Sequence, residues 1–383
     1  MPWNLSEIHG WGLVGVHTAL YLMDRDTPPV LLAQPLMESL RPQVRERLAP
    51  LVEGWQAIDA WVKANNPQAV KLQDVDVMHP LGNGLIEDAN AMRFRGRRNI
   101  GVIAFENTRL DANAVALGRS HDFIITHSHY NVELLRDAGI PDVRLAWQGI
   151  DPTEIFPMRK TGVFGNRFLV FSGGKLEFRK GQDIVVEAFR RFHQRHPDAM
   201  LVTAWFNAWP HLSMDMTESK IAKAPPRITG GKRLEITRWA LDNGLAPESF
   251  MDLGFMTRAR IPVVLAECDA ALFPNRCEGA TNLVAMECMG CGVPVVMSAN
   301  TGHRDIIRDG MCYPLRDQRP VDDPRGDRRG WGESSVEETV EALEQIYQNR
   351  EEARRRATLA MEFVHKERTW RKFAEAFVAE AER

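Results

Sequence analysis

The stretch Phe273–Asp305, FPNRCEGATNLVAMECMGCGVPVVMSANTGHRD, decides how this chain is read. Its apolar lead, Ala270–Phe273, predicts a short strand. A polar turn with Glu278, Gly279, Thr281 and Asn282 follows, and a helix is expected from about Asn282 to Met289, carrying Glu287. Gly292 and Pro294 stop that helix, and Pro294–Ser298 predicts the next strand. Strand, turn, helix and strand in this order make a ligand-binding corner of an open parallel sheet. The helix start suits a diphosphate, and the two carboxylates bracketing the turn suit hydroxyl-rich groups.

Working outward, Phe171–Asp183 (FSGGKLEFRKGQD) is the second chemical segment. A strand runs into Gly173 and Gly174, whose backbone can approach a ligand closely. Arg179 and Lys180 then precede Gly181 and a helix. Arginine grips phosphate oxygens in pairs and lysine supplies a point charge, so both would oppose charge developing on a departing nucleoside diphosphate. A third element, His9–Gly15 (HGWGLVG), reads as a glycine loop at Gly12 and Gly15 touching phosphate or sugar; tight packing of Trp11 over a helix start is the competing reading.

The remaining pattern is strand–helix alternation. Expected strands are Trp3–Ile8, Pro29–Ala33, Val75–Met78, Ile100–Phe105, Phe123–Thr126 and Val143–Trp147, then Phe168–Ser172, Ala199–Trp205 and Phe250–Leu253. Expected helices include Leu13–Leu22, Leu48–Trp61, Asn131–Ala138, Gln182–His193, Lys232–Asp242 and Thr369–Ala381, with Val336–Phe363 read as one long polar helix or a helix pair. Arg316–Gly332, rich in Pro, Gly, Asp and Arg, is expected to be a mobile surface excursion. The turn-rich segment near residue 160 separates two α/β halves, and 383 residues suit two domains better than one core.

Composition excludes several classes. Apolar residues make up 44% and charged residues 26%, with a formal net charge of −3, so no strong field draws the chain to nucleic acid. No apolar run is long enough to span a bilayer. Arg93–Arg98 is a basic patch read as a solvated loop, with peripheral membrane contact left open. The five cysteines include a Cys288–Cys291 pair without a second pair, which reads as buried packing rather than a zinc ribbon. That odd count, with no secretion signal evident, points to the cytoplasm.

Residues Pro274–Val295 resemble the Pro-Ser-x-x-Glu-Gly-Phe-Gly-Leu-x-x-x-Glu-Ala-Met-Ala-x-Gly-x-Pro-Val pattern of retaining family 4 glycosyltransferases (glycosyl transferases group 1). Arg179-Lys180-Gly181, the linker Gln148–Pro157 and the His-Gly-Trp-Gly start extend the resemblance over nearly the whole chain. It implies the GT-B fold, two Rossmann-like α/β domains facing each other across a cleft. The domains would be 1–157 on the acceptor side and 158–365 for the nucleotide sugar, with a C-terminal helix, 366–383, packing back on the first. Carried over, Glu278 contacts the donor sugar and Glu287 the ribose hydroxyls. Backbone around Ala280, Thr281, Asn282 and Leu283 holds sugar and diphosphate, Arg179 and Lys180 meet the phosphates, and the nucleobase lies near Gly254 and Phe255.

Two departures stand out. Eight residues separate Glu278 from Glu287 where the family has seven, and Glu106 occupies the place of a first-domain histidine near the transferred sugar. A carboxylate there could orient an acceptor hydroxyl; a helix cap or a partner for Arg109 is the competing reading. Tyr130, His127 and His129 are candidates to line the cleft, with partly buried, hydrogen-bonded histidine the leading reading for the latter two.

The reaction implied is sugar transfer with retention from a UDP- or GDP-linked donor to an acceptor hydroxyl on a glycan, glycolipid or small molecule. Front-face attack, with the leaving phosphate taking the acceptor proton, needs no protein nucleophile. No cofactor is expected, and no metal, since Asp74-Val75-Asp76 is far from the diphosphate elements. A nucleotide-sugar epimerase and a non-catalytic nucleotide-sugar binder remain as alternatives, and oligomeric state stays open.

Overall fold

The computed structural model describes residues 1–230 and 233–383. It divides into two compact units: Met1–Gly149 with Arg325–Asp327 and Trp370–Arg383, and Ile150–Pro324 with Arg328–Thr369.

The first unit opens with helices α1 (Gly10–Asp24) and α2 (Pro42–Asn65). Its strands are β1 (Val77–Pro80), β2 (Asn99–Ile103), β3 (Phe123–Thr126) and β4 (Val143–Leu145), with α3 (Ala112–Arg119) between β2 and β3 and α4 (His129–Asp137) between β3 and β4. They form one parallel sheet in the order β1-β2-β3-β4. Every residue of β3 is buried, as a doubly covered parallel strand requires. The C-terminal helix Trp370–Glu382 packs on this unit: Trp370 stacks on His17 at 4.6 Å, and Phe373 lies 5.7 Å from the His127 ring. Arg97 and Arg98 both pair with Asp76, and Arg95 with Glu87, so the basic patch is largely neutralised within the unit.

Two expected strands are absent. Trp3–Ile8 and Pro29–Ala33 form no ladder. They exchange isolated bonds, Leu32 N to Met1 O and Leu36 N to Leu5 O. Pro29 removes one donor inside the second stretch, and Pro2, Pro28 and Pro35 remove donors just outside the two. The predicted glycine loop is also corrected, because α1 begins at Gly10 and contains Gly12 and Gly15. A Cβ at Gly12 would lie 2.1 Å from Ser6 Oγ, and one at Gly15 2.7 Å from Leu5, so both glycines let α1 press on the chain before it.

The second unit contains β5 (Phe168–Lys175), α5 (Gln182–Arg195), β6 (Ala199–Phe206), α6 (Ile236–Asp242), β7 (Phe250–Asp252), α7 (Ile261–Leu265), β8 (Ala270–Phe273), α8 (Leu283–Gly290), β9 (Val295–Ser298) and β10 (Tyr313–Leu315). Lys232, the predicted start of α6, lies outside the described residues. The sheet is parallel in the order β7-β6-β5-β8-β9-β10. Chain order runs outward from β5 in one direction and then outward from β8 in the other, so the strand order reverses between β5 and β8. Helix α5 buries Val185, Phe189 and Phe192 in the core beneath the sheet, and Ile184 and Ala188 against Val336 and Val340. Helix α8 is buried from Ala285 to Gly290, and an all-round buried helix shows no polar stripe.

The stretch expected to be a mobile excursion is anchored instead. Its ends pair as antiparallel strands β11 (Gln318–Pro320) and β12 (Gly332–Ser334). Of the long helix or helix pair expected after it, the pair forms: α9 (Val336–Gln348) and α10 (Arg350–Glu367), broken at Asn349, whose side chain caps the second.

Candidate active site

In open α/β sheets, ligands bind outside the carboxyl ends of the strands, where the strand order reverses. The two chemical segments leave the sheet at that place: residues 176–181 follow β5, and residues 274–282 follow β8. They are stitched by backbone bonds from Arg276 N and Cys277 N to Arg179 O, at 2.7 and 3.2 Å. Gly181, with φ +68°, permits the contact, because a Cβ would fall 2.2 Å from Pro274 O. Gly173 packs against α8, its missing Cβ 2.8 Å from Val284, whereas Gly174 at φ +123° has open space where a side chain would stand.

This brings Arg179, Lys180 and Glu278 together. Lys180 Nζ lies 2.5 Å from Glu278 Oε1, and Arg179 Nη1 lies 3.5 Å from Oε2. Arg179 also pairs with Glu177 at 2.8 Å, as Lys175 does at 3.1 Å, so three cations face two carboxylates. Burial opposes the charge on Glu278, but Lys180 and Arg179 outweigh it and bring its pKa down to about 2. Asn275 Nδ2 donates to the same carboxylate, and Glu278 N donates to Thr301 Oγ1 at 2.9 Å.

The longer turn is absorbed before the helix. Asn282 takes a left-handed conformation (φ 63°), and its side chain accepts from Ala285 N. Its Nδ2 lies 3.0 Å from Nε2 of the buried His303, a histidine that burial pushes down to about 4. Ala280 is half-buried; Thr281 is buried, and its hydroxyl has no hydrogen-bond partner among the described residues.

Glu287 sits apart from this cluster. Arg258 bridges it at 3.0 Å to Glu154, itself 3.1 Å away. Here burial wins, and the carboxyl is pushed above its ordinary value despite Arg258. Phe255 is half exposed, its ring 5.0 Å from Phe206.

In the first unit, Glu106 follows β2. The preceding residue is pinned by Asn131, which accepts from Phe105 N at 3.0 Å and donates to Phe105 O at 2.9 Å. His127 is fully buried, its Nδ1 2.8 Å from Ala146 O, and burial lowers its pKa to about 4. That is the hydrogen-bonded core reading. His129 meets Trp147 edge-on at 5.4 Å. Gly12 and Gly15 lie within α1, against Ser6 and Leu5. The five cysteines are unpaired, and Cys288 and Cys291 are buried with thiols pushed up by burial, Cys291 to about 12.

Three supporting residues escaped the sequence reading. Arg276 is fully buried, bonds Asp183 at 2.7 and 2.9 Å and Glu333 at 2.7 Å, and stacks on Phe178 at 4.0 Å, fastening the turn to α5 and β12. Asn300 donates to Asn275 O and Gly332 O, so the same hairpin braces the turn. Asp215 accepts from Phe178 N at 3.0 Å, and burial raises its pKa to about 6. A lone arginine inside a motif of small and apolar residues was the available signal for Arg276.

The family described as Glycosyl transferases group 1 matches residues 155–360. A GDP-mannose-dependent alpha-(1-6)-phosphatidylinositol monomannoside mannosyltransferase from Mycolicibacterium smegmatis is 27% identical over 179 residues, covering 45% of this chain and only 40% of that relative's length. Among solved structures, Anabaena HepE in complex with UDP and glucose aligns with a TM-score of 0.64 at 14% identity, covering 98% and 97% of the two chains. Sucrose-phosphate synthase from Thermosynechococcus elongatus aligns at 0.64 and 15%, covering 100% and 95%. A glycosyltransferase from Rickettsia africae aligns at 0.65 and 11%, covering 97% and 94%. These structural likenesses speak to fold alone.

Proposed function

The chain belongs to the glycosyl transferases group 1 and has the GT-B fold, and from that premise we propose that it moves a sugar from a nucleoside-diphosphate donor to an acceptor hydroxyl with retention. The observation that carries the proposal is the meeting of Arg179 and Lys180, after β5, with Glu278, after β8, where the strand order reverses. A diphosphate entering there competes with Glu278 for the two cations. As they move to phosphate oxygens, the carboxylate is released to accept from sugar hydroxyls. Arginine and lysine then stabilise the charge that grows on the leaving diphosphate, and the first amides of α8, at Leu283 and Val284, add the positive end of a helix.

Glu287 holds the ribose hydroxyls in this reading, and Phe255 borders the base. Glu106 orients the acceptor hydroxyl, while its proton passes to the departing phosphate oxygen, so that attack and departure share one face of the sugar. The donor is UDP- or GDP-linked in this reading; the mannosyltransferase relative is GDP-mannose-dependent, while HepE was solved with UDP. The acceptor is a hydroxyl of a glycan, glycolipid or small molecule.

The test is a panel of UDP-, GDP- and ADP-sugars, with nucleoside diphosphate release followed over time and the product anomer assigned by NMR. Release of one nucleotide with the donor's anomeric configuration kept is expected. An inverted product would sink retention, an epimerised donor recovered intact would favour an epimerase, and absence of binding to every donor would remove the proposal.

A further inference from the structure

Away from these residues, three side chains of the first unit converge without a part in sugar transfer. His79 lies in β1, Glu87 in the loop that follows, and His121 just before β3. His79 Nδ1 is 2.9 Å from Glu87 Oε2 and His121 Nε2 is 3.2 Å from Oε1, and the donor atoms of all three lie within 4.8 Å of one another. The side chains are 0%, 8% and 2% exposed.

The outer contacts settle how each ring points its lone pair. His79 Nε2 faces Asn99 Oδ1 at 3.1 Å, and that oxygen also accepts from Gly96 N at 3.0 Å, so the atom is an acceptor and Nε2 carries the proton. His121 Nδ1 faces Leu117 O at 3.1 Å, so Nδ1 carries the proton there. In the neutral rings, His79 Nδ1 and His121 Nε2 are therefore bare lone pairs aimed at a carboxylate. Both nitrogens are buried, and neither has a hydrogen-bond partner among the described residues. Meeting Glu87 by hydrogen bonds would require a second proton on each ring. Two imidazolium ions and Arg95 would then surround a single carboxylate, with Arg95 already bonded to both its oxygens at 2.9 and 3.0 Å.

We propose that His79, Glu87 and His121 bind a divalent transition cation of the zinc class, with a water as fourth ligand. Two imidazoles and a carboxylate form a familiar donor set for zinc, and ligand atoms of a tetrahedral zinc site stand about 3.3 Å apart. Glu87 now faces the two rings with separate oxygens, at 2.9 and 3.2 Å, and one donor atom from each residue lies within 4.8 Å of the others, so a small rotation of the carboxylate and closure of the rings would bring one oxygen and both nitrogens onto one cation. The outer shell is complete as well. Metal-bound histidines donate their other N–H to a carbonyl or carboxylate, and ligating carboxylates are themselves hydrogen-bonded; Asn99, Leu117 and Arg95 fill those three roles. The cation would tie β1, its loop and the entry to β3 into one unit, a structural role at a nearly sealed place.

The test uses the full chain, purified without chelator and dialysed against zinc. One zinc per chain by mass spectrometry is expected, with an unfolding midpoint about 5–10 °C above that of chelator-treated protein at saturating zinc. Cobalt in place of zinc should give the visible bands of a tetrahedral site with no thiolate charge-transfer band. Glu87→Gln and His121→Asn should each lose the metal; because either variant could unfold, the cobalt spectrum of the wild-type chain stands independently. Less than a tenth of an equivalent of bound metal overturns the proposal. So does a thiolate band pointing to the cysteines, or a midpoint that responds to pH but not to zinc.

Discussion

Glu278 and Glu287 belong to one motif, are both buried, and have opposite electrostatic fates. Burial penalises charge on both. Glu278 faces two cations and is held ionised, its pKa near 2. Glu287 faces one arginine that it shares with Glu154, and its pKa is raised. The number of cations per carboxylate, more than depth, decides which is a fixed anion. In the proposed donor site the first glutamate is a counter-ion that ligand phosphate would displace. The second is a polar group with weak hold on its charge, suited to hydrogen-bonding a diol.

The largest effect expected from breaking this contrast is on turnover. Arg179→Ala removes a cation proposed to stabilise the leaving diphosphate, and a loss of about 10²–10³ in kcat is expected, by analogy with deletion of one preorganised donor. Steady-state kinetics beside a thermal melt separates the roles; near-normal turnover with a lowered melting temperature would leave Arg179 purely structural.

Next comes stability against pH. Glu278 titrates near 4.5 unfolded and near 2 folded. Its contribution, on the order of 3 kcal/mol, is complete above about pH 4.5 and is lost as pH falls toward 2. Glu287, shifted upward, works against stability as pH rises through its range. Glu278→Gln should therefore lower the urea midpoint at pH 7 and flatten its acid dependence, whereas Glu287→Gln should leave the midpoint unchanged or raise it. Equal losses in both variants would erase the distinction.

The same two glutamates show what could be read in the sequence. The elements β8, α8 and β9 follow from apolar runs, a capping asparagine and Gly292-Pro294, all local signals. The pairing of Lys180 with Glu278 spans 98 residues and becomes visible only when β5 and β8 are neighbours. The hairpin β11–β12 hid behind Pro and Gly content, because its order comes from Arg276 and Asn300, outside it in sequence. Near the start, apolar stretches that look like strands exchange only isolated bonds, with Pro2, Pro28, Pro29 and Pro35 interrupting the row of donors in and around them. His79, Glu87 and His121 fit no short ligand motif, since β1 and the approach to β3 meet through the sheet.

The smallest effect sharpens the contrast on the acceptor side. Glu106 lies beyond β2, where Asn131 clamps Phe105 to the chain after β3, so its backbone position is set by a rigid element. In the proposed mechanism Glu106 acts by position and acceptor strength, while the leaving phosphate takes the proton. Replacing it with an amide keeps the shape and weakens the acceptor, so Glu106→Gln should lower transfer by about tenfold, within the modest range of such hydrogen bonds. Donor binding, measured by calorimetry, should not move, because the proposed donor contacts come from Arg179, Lys180, Glu278 and Glu287. Hydrolysis of the donor by water should fall less than transfer, since water needs no orientation by Glu106. Weakened donor affinity with normal saturated transfer would instead place Glu106 beside the donor, making it a third carboxylate to be compared with Glu278 and Glu287.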